Sequence, residues 1–152
     1  MYIKLFHNYC AISINVIQVV SLSYSTGFST SSGADTDTGL NLSITPTSST
    51  SKILIIITAY VRATGGGGNQ YTYSKTWRGA VGSGTLLVNG FAAMGNFGST
   101  DIRGVDSTSY LDAPATTSAT TYRFSLNSAY AGTVYLNSST APSTITLMEI
   151  AQ

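Results

Sequence analysis

Apolar residues in this sequence recur at every second position, and that period limits most strongly what the chain can become. Leu40, Leu42 and Ile44 alternate with Asn41, Ser43 and Thr45. Tyr71, Tyr73 and Lys75 alternate with Thr72, Ser74 and Thr76, and Tyr122, Phe124 and Leu126 alternate with Arg123 and Ser125. Ile145, Leu147 and Glu149 alternate with Thr146, Met148 and Ile150, so both faces of that strand carry apolar groups. A period of two sends successive side chains to opposite faces of an extended strand, whereas a helix needs 3.6. Val134 and Leu136 flank Tyr135 in the same way, Thr85–Val88 is short and apolar, and Ile14–Val20 reads as the first strand. Ile53–Val61 is different. It is a nearly continuous β-branched run, which predicts a central strand buried on both faces.

Turn-forming stretches separate these runs: Thr26–Gly39, Pro46–Ser51, Gly65–Gln70, Asn89-Gly90, Gly95–Gly104, Ala113–Thr120, Asn127–Gly132 and Asn137–Ser143. Short strands at such spacing predict an all-β sandwich or barrel, and no segment has a cap followed by a helical face. The tract Thr26–Thr38 is low in complexity and reads as a mobile loop. Ser and Thr make up 44 of the 152 residues, and only 9% are charged. That composition excludes a coiled coil or helical bundle. A net charge of +1 excludes a nucleic-acid binder working through phosphate contacts. The longest apolar stretch falls short of the roughly 18 residues of a membrane-spanning helix, so no membrane insertion is expected. Lys4 precedes an apolar stretch, but Ser13, Asn15, Gln18 and Ser21 interrupt it, which argues against a secretory signal.

Chemistry-bearing residues are few. Cys10 has no second cysteine to pair with and reads as a small buried hydrophobe; the lone histidine is His7. Asp35-Thr-Asp37-Thr-Gly39 opens like a calcium loop, but its twelfth position is Pro46, so an Asx-type turn is expected and no metal or cofactor. Gly65–Gly68 lacks the Gly-Lys-Ser/Thr and the helix of a phosphate loop. Asp101 and Asp106 lie in a Gly-rich stretch, and nothing in their spacing pairs them as catalytic carboxylates, so no catalytic residues are expected. Tyr71, Tyr73, Trp77 and Arg78 form an aromatic and cationic cluster that could stack on and hydrogen-bond a glycan; the same residues at strand spacing also suit a core or a subunit interface.

From Ile14 onward the chain resembles a domain at the C-terminal ends of tail-fibre and related virion structural proteins of tailed bacteriophages, particularly cyanophages and other marine phages. The resemblance is carried by Val16–Val20, Asp37–Leu40, Ser43–Pro46, Ser51–Leu54, Ser107–Tyr122, Gly132–Tyr135 and Ser143–Ile150. It implies an antiparallel jelly-roll sandwich of about eight to ten strands, similar to C1q/TNF-like heads and assembled as a homotrimer. It implies that the last strand lies near the threefold axis, which makes Leu147, Met148 and Ile150 the expected trimer contacts. Residues 1–13 are expected to be an arm or attachment segment and residues 14–152 the jelly-roll domain. The implied function is a non-enzymatic protein on the surface of the virion, of tail-fibre or receptor-binding type, whose partners are its own copies, other virion proteins and a host-surface glycan. The alternative is a capsid decoration protein that clamps capsomers, and the third reading a polysaccharide depolymerase.

Overall fold

A computed structural model describes residues 15–65, 70–95, 101–129, 132–138 and 141–152, with backbone alone for 70–71 and 91–95. The expected N-terminal arm, with His7 and Cys10, lies outside the described residues, as do Ile14 and most of the Gly65–Gln70 connection.

Among the described residues ten strands form: β1 (Val16–Tyr24), β2 (Phe28–Thr30), β3 (Thr36–Ile44), β4 (Lys52–Thr64), β5 (Gln70–Arg78), β6 (Thr85–Gly95), β7 (Asp101–Asp112), β8 (Thr120–Ser128), β9 (Thr133–Leu136) and β10 (Ser143–Ile150). The larger sheet holds β1, β10, β4, β9, β2 and β7, and the smaller has the order β3-β8-β5-β6. All pairings are antiparallel. Strand β4 is long enough to take β10 and then β9 end to end along one edge, while β7 runs along its other edge. Likewise β1 extends β10 outward and β2 extends β9. The larger sheet is thus four strands wide, β1/β2, β10/β9, β4 and β7. It faces the smaller sheet in a jelly-roll-like sandwich, as expected.

The core lies between the sheets. Leu40, Ile53, Ile55, Ile57, Tyr122, Phe124, Leu126, Ile145 and Leu147 have no exposed surface. Outside β4 each is a member of an alternating run, so burial follows directly from the period. Strand β4 departs from expectation on its other face. Ile53, Ile55 and Ile57 are fully buried, but Leu54 and Ile56 are only half-buried and Tyr60 is exposed. A continuous apolar run predicts cover on both faces, and this chain supplies cover on one.

Three other expectations are corrected. The tract Thr26–Thr38 contains β2 and the start of β3, because Thr36 and Asp37 pair with Leu126 and Ser125 of β8. A bulge between Asp37 and Asn41 absorbs the register shift. There Gly39 adopts φ +82°, and a Cβ at this position would strike the Tyr24 hydroxyl, so only glycine fits. Asn89-Gly90 is no turn and runs within β6, opposite Lys75 and Ser74. The stretch Gly95–Gly104 overlaps the start of β7, an edge strand whose core-side positions hold Gly104, Asp106 and Thr108 and therefore show no apolar period.

Two polar nodes fix the corners. Asn137 follows β9 in a left-handed conformation (φ +54°) at the point where β9 gives way to β10 along β4. Its Nδ2 donates to the carbonyls of Tyr24 (2.8 Å) and Thr26 (3.2 Å). Its Oδ1 accepts from the backbone N–H and hydroxyl of Ser143 (3.1 and 2.6 Å), and its own N–H donates to the Tyr60 carbonyl (3.0 Å). The second node is Glu149, on the core side of β10 and with no exposed surface. Burial pushes its carboxyl up. Hydrogen bonds from Gln18 Nε2 (2.6 Å) and from the backbone and hydroxyl of Thr47 (both 2.8 Å) outweigh burial and hold it down at about 2. The folded value lies below the ordinary value of 4.5, so this carboxylate stabilises the fold fully above that pH and loses its contribution as pH falls toward 2. Glu149→Gln is therefore expected to flatten the acid limb of a thermal-unfolding series between pH 7 and pH 2.5. An acid limb as steep as that of the unsubstituted protein would refute the assignment.

Asn15 and Ala151 meet at one corner, where the Ala151 N–H donates to the Asn15 carbonyl (2.9 Å) beside the Val16–Ile150 pair.

Candidate functional site

The four residues expected to contact a glycan all lie on β5, and the three with described side chains, Tyr73, Trp77 and Arg78, do not converge. Trp77 is 7% exposed, and its Nε1 donates to the Ser125 hydroxyl (2.9 Å). A ring covered to that degree has no face on which a sugar can stack, which corrects the expectation for this residue. Arg78 donates from Nη1 to both oxygens of Asp112 (3.0 Å each), and Asp112 also accepts from the Tyr122 hydroxyl (2.8 Å). Its guanidinium therefore ties β5 to β7, across the two sheets. Tyr73 is half-buried and lines a shallow hollow with Lys75, Asn89 and Asn127. The side chain of Tyr71 lies outside the described residues.

Asp35 and Asp37 are engaged structurally. Asp35 takes the Lys75 ammonium (2.8 Å) and the Asn127 amide (2.6 Å). Asp37 takes Arg123 (2.7 Å) and, in the expected Asx-type turn, the N–H of Gly39 (3.0 Å). Asp101 and Asp106 pair in register with Thr64 and Ala59 of β4, on opposite faces of the sheet. Carboxylates on opposite faces cannot flank one glycosidic bond. Among the described residues no three His, Cys, Asp or Glu side chains gather where they could hold a metal ion.

The expected trimer contacts divide between two surfaces. Leu147 is fully buried in the sandwich and Ile150 is 8% exposed, so neither offers surface to a neighbour. Met148 is half-buried on the outer face of the larger sheet. There the register makes a continuous apolar row across four strands: Val19, Met148, Leu54 and Leu111. Val19 is 53% and Leu111 48% exposed, and Val16 and Ile17 beside them are exposed as well. The next two rows are mostly hydroxyls, Ser21, Thr146, Ile56 and Ser109, then Ser23, Thr144, Thr58 and Ser107. In the sequence, the continuous run Ile53–Val61 and the two apolar faces of Ile145–Ile150 hint at this face. Its other members are scattered over β1 and β7.

The far end of the same face has a different chemistry. Arg62 of β4 stands in register with Arg103 of β7 on one side and Tyr135 of β9 on the other. Its guanidinium carbon lies 5.4 Å from the Tyr135 ring centre. Arg62 Nε and Nη2 donate to the two oxygens of Asp101 (2.9 and 3.0 Å), and Arg103 Nη2 reaches one of them at 3.3 Å. These hydrogen bonds, from Arg62 first and Arg103 second, hold the Asp101 carboxyl down at about 2. A concavity of about 270 Å³ opens here, lined by Tyr60, Arg62, Arg103, Gly104, Val105 and Ser138.

No family model matches the sequence. No curated protein matches it. Among solved structures, T=1 particles derived from infectious bursal virus align at 12% identity over 87% of this chain and 35% of theirs, with a TM-score of 0.44. The VP2 subviral particle of infectious bursal disease virus aligns at 12% identity over 88% and 39%, with a TM-score of 0.46. The Gt strain of that virus gives 13% identity over 89% and 38%, with a TM-score of 0.42. The chain spans less than two fifths of the length of each. Likeness at this level carries no functional argument, and the fold assignment rests on the strand order itself.

Proposed function

We propose that the chain is a non-enzymatic structural protein of a virus particle, a homotrimer whose subunits meet through the outer face of the larger sheet, carried on the capsid as a decoration protein. The apolar row Val19–Met148–Leu54–Leu111 carries this reading. Burying a large aliphatic side chain from full exposure is worth about 1.5–3 kcal/mol, Val19 and Leu111 still expose about half of theirs, and a contiguous exposed set marks an association surface. Met148 in the row agrees with a last strand near the threefold axis. The viral assignment is supported by the segments that resemble virion proteins, Ser107–Tyr122 foremost. Decoration is preferred to tail-fibre adhesion because the sheet face offers a surface suited to assembly, whereas Trp77 is covered and Arg78 is engaged by Asp112. The resemblance to fibre ends favours a second reading, a tail-fibre protein built on the same trimer.

Light scattering on the purified protein is expected to give three copies of the 15.9 kDa chain. Replacing both Val19 and Leu111 by lysine is expected to give a folded monomer. A monomeric unsubstituted protein would remove the proposal. Copy number per particle then separates the two readings, since decoration requires a number near that of the major capsid protein and a tail fibre only a few trimers.

A further inference from the structure

We infer that the concavity at the Arg62–Arg103 end of the larger sheet is a binding site for an acidic saccharide, with a sugar carboxylate on Arg103 and the sugar ring against Tyr60 and Val105. The inference goes beyond the decoration reading and does not depend on it. Two arginines directly opposite on neighbouring strands repel each other, an arrangement that sheets ordinarily avoid. Asp101 relieves only part of this. It binds Arg62 through both oxygens, at 2.9 and 3.0 Å, and reaches Arg103 through one contact at 3.3 Å. The pair and its carboxylate therefore keep one surplus positive charge. Arg103 carries it on a side chain 67% exposed. A second carboxylate would complete the pairing, and a guanidinium takes a carboxylate through two parallel N–H donors.

The surroundings select among anions. Tyr60 is 36% and Val105 55% exposed, side by side in register, and together form an apolar floor next to the charge. Ser138 lines the rim. Tyr135 and Asp101 fix Arg62, so the wall is rigid before any ligand arrives. A volume of about 270 Å³ suits a sugar ring better than the larger ligands of typical pockets, which take roughly 300–1,000 Å³. The site lies eight residues along β4 from the apolar row, about 26 Å at strand rise, and the hydroxyl rows separate the two. Subunit contact through the row leaves it open.

The test is a calorimetric titration of the purified protein, at its native oligomeric state, with trigalacturonate, with the neutral galactotriose and with inorganic sulfate. Trigalacturonate is expected to bind at least tenfold more tightly than either of the other two. Arg103→Ala, at an exposed position, is expected to cut that affinity at least tenfold without changing oligomeric state or melting temperature, and Arg103→Lys to recover only part of it. Tyr60→Ala is expected to weaken trigalacturonate and leave sulfate unchanged. Equal binding of sulfate would reduce the site to a general anion site and overturn the saccharide. Equal binding of galactotriose, undiminished binding by Arg103→Ala, or no trigalacturonate binding at millimolar concentration would overturn the inference as well. Because oligomeric state is read in the same samples, failure here is distinct from failure of the trimer.

Discussion

Asn137→Ala is expected to destabilise the fold by about 3 kcal/mol, which for a domain of this length lowers the melting temperature by about 10 °C. The side chain is 6% exposed, and it satisfies groups from two directions: the carbonyls of Tyr24 and Thr26 at the end of β1, and the Ser143 N–H and hydroxyl that begin β10. Truncation leaves these groups in a site closed to water, and each orphaned group costs about 1–3 kcal/mol. It also leaves a Cβ-bearing residue at φ +54° without the local hydrogen bonds that let asparagine occupy that region. Asn137→Gly separates the two causes. It removes the same hydrogen bonds but tolerates the backbone, so its loss is expected to be smaller by about 1 kcal/mol. Thermal and urea unfolding of the three proteins measures both. A loss below 1 kcal/mol in Asn137→Ala would show that the node is dispensable.

Asp112→Ala is expected to have a similar effect, about 3 kcal/mol, through the junction between the two sheets. The carboxylate is 5% exposed and receives the Arg78 guanidinium and the Tyr122 hydroxyl. Tyr122 itself has no exposed surface, and burial, with the acceptor carboxylate beside it, pushes its phenol well above the ordinary range. Removing Asp112 strands a neutral hydroxyl and a cation together at the junction of β5, β7 and β8. Tyr122→Phe removes one of the two stranded groups and is expected to cost only about 1 kcal/mol. In the double substitution the hydroxyl is no longer stranded, so the combined loss is expected to fall below the sum of the two single losses. Strict additivity in urea unfolding would contradict the shared network.

The strands that carry a strict apolar period were legible in the sequence, and an all-β sandwich or barrel follows from their number and spacing; the jelly roll is what the resemblance implies. Strands β2 and β7 were not, for a physical reason. A short strand such as Phe28–Thr30, or an edge strand whose core side holds Gly104, Asp106 and Thr108, is held by backbone pairing rather than by a buried stripe. The β5 cluster shows the opposite error. Trp77 and Arg78 are close together in sequence, but a strand sends these neighbours to opposite faces, where Ser125 of β8 takes one and Asp112 of β7 the other. The Arg62–Arg103 concavity joins residues from β4, β7 and β9, so no local pattern could announce it. The outer apolar row was visible only in part, through Leu54 of the continuous run Ile53–Val61 and Met148 of the two-faced last strand.

The meeting of Asn15 and Ala151 at one corner sets how the domain bears mechanical load. Strands β1 and β10 run antiparallel from that corner, with Val16 against Ile150 and Tyr24 against Ser143. Tension applied between the two ends opens the pair like a zipper, one rung at a time, and yields at low force. Tension between that corner and the Arg62 end runs along β10 and β4 instead. It must slide Ile150–Thr144 past Lys52–Thr58 and break the rungs together. A domain tethered at the corner and pulled from its far tip is therefore loaded along its stiff direction, whereas a tether that separates the ends meets its compliant one.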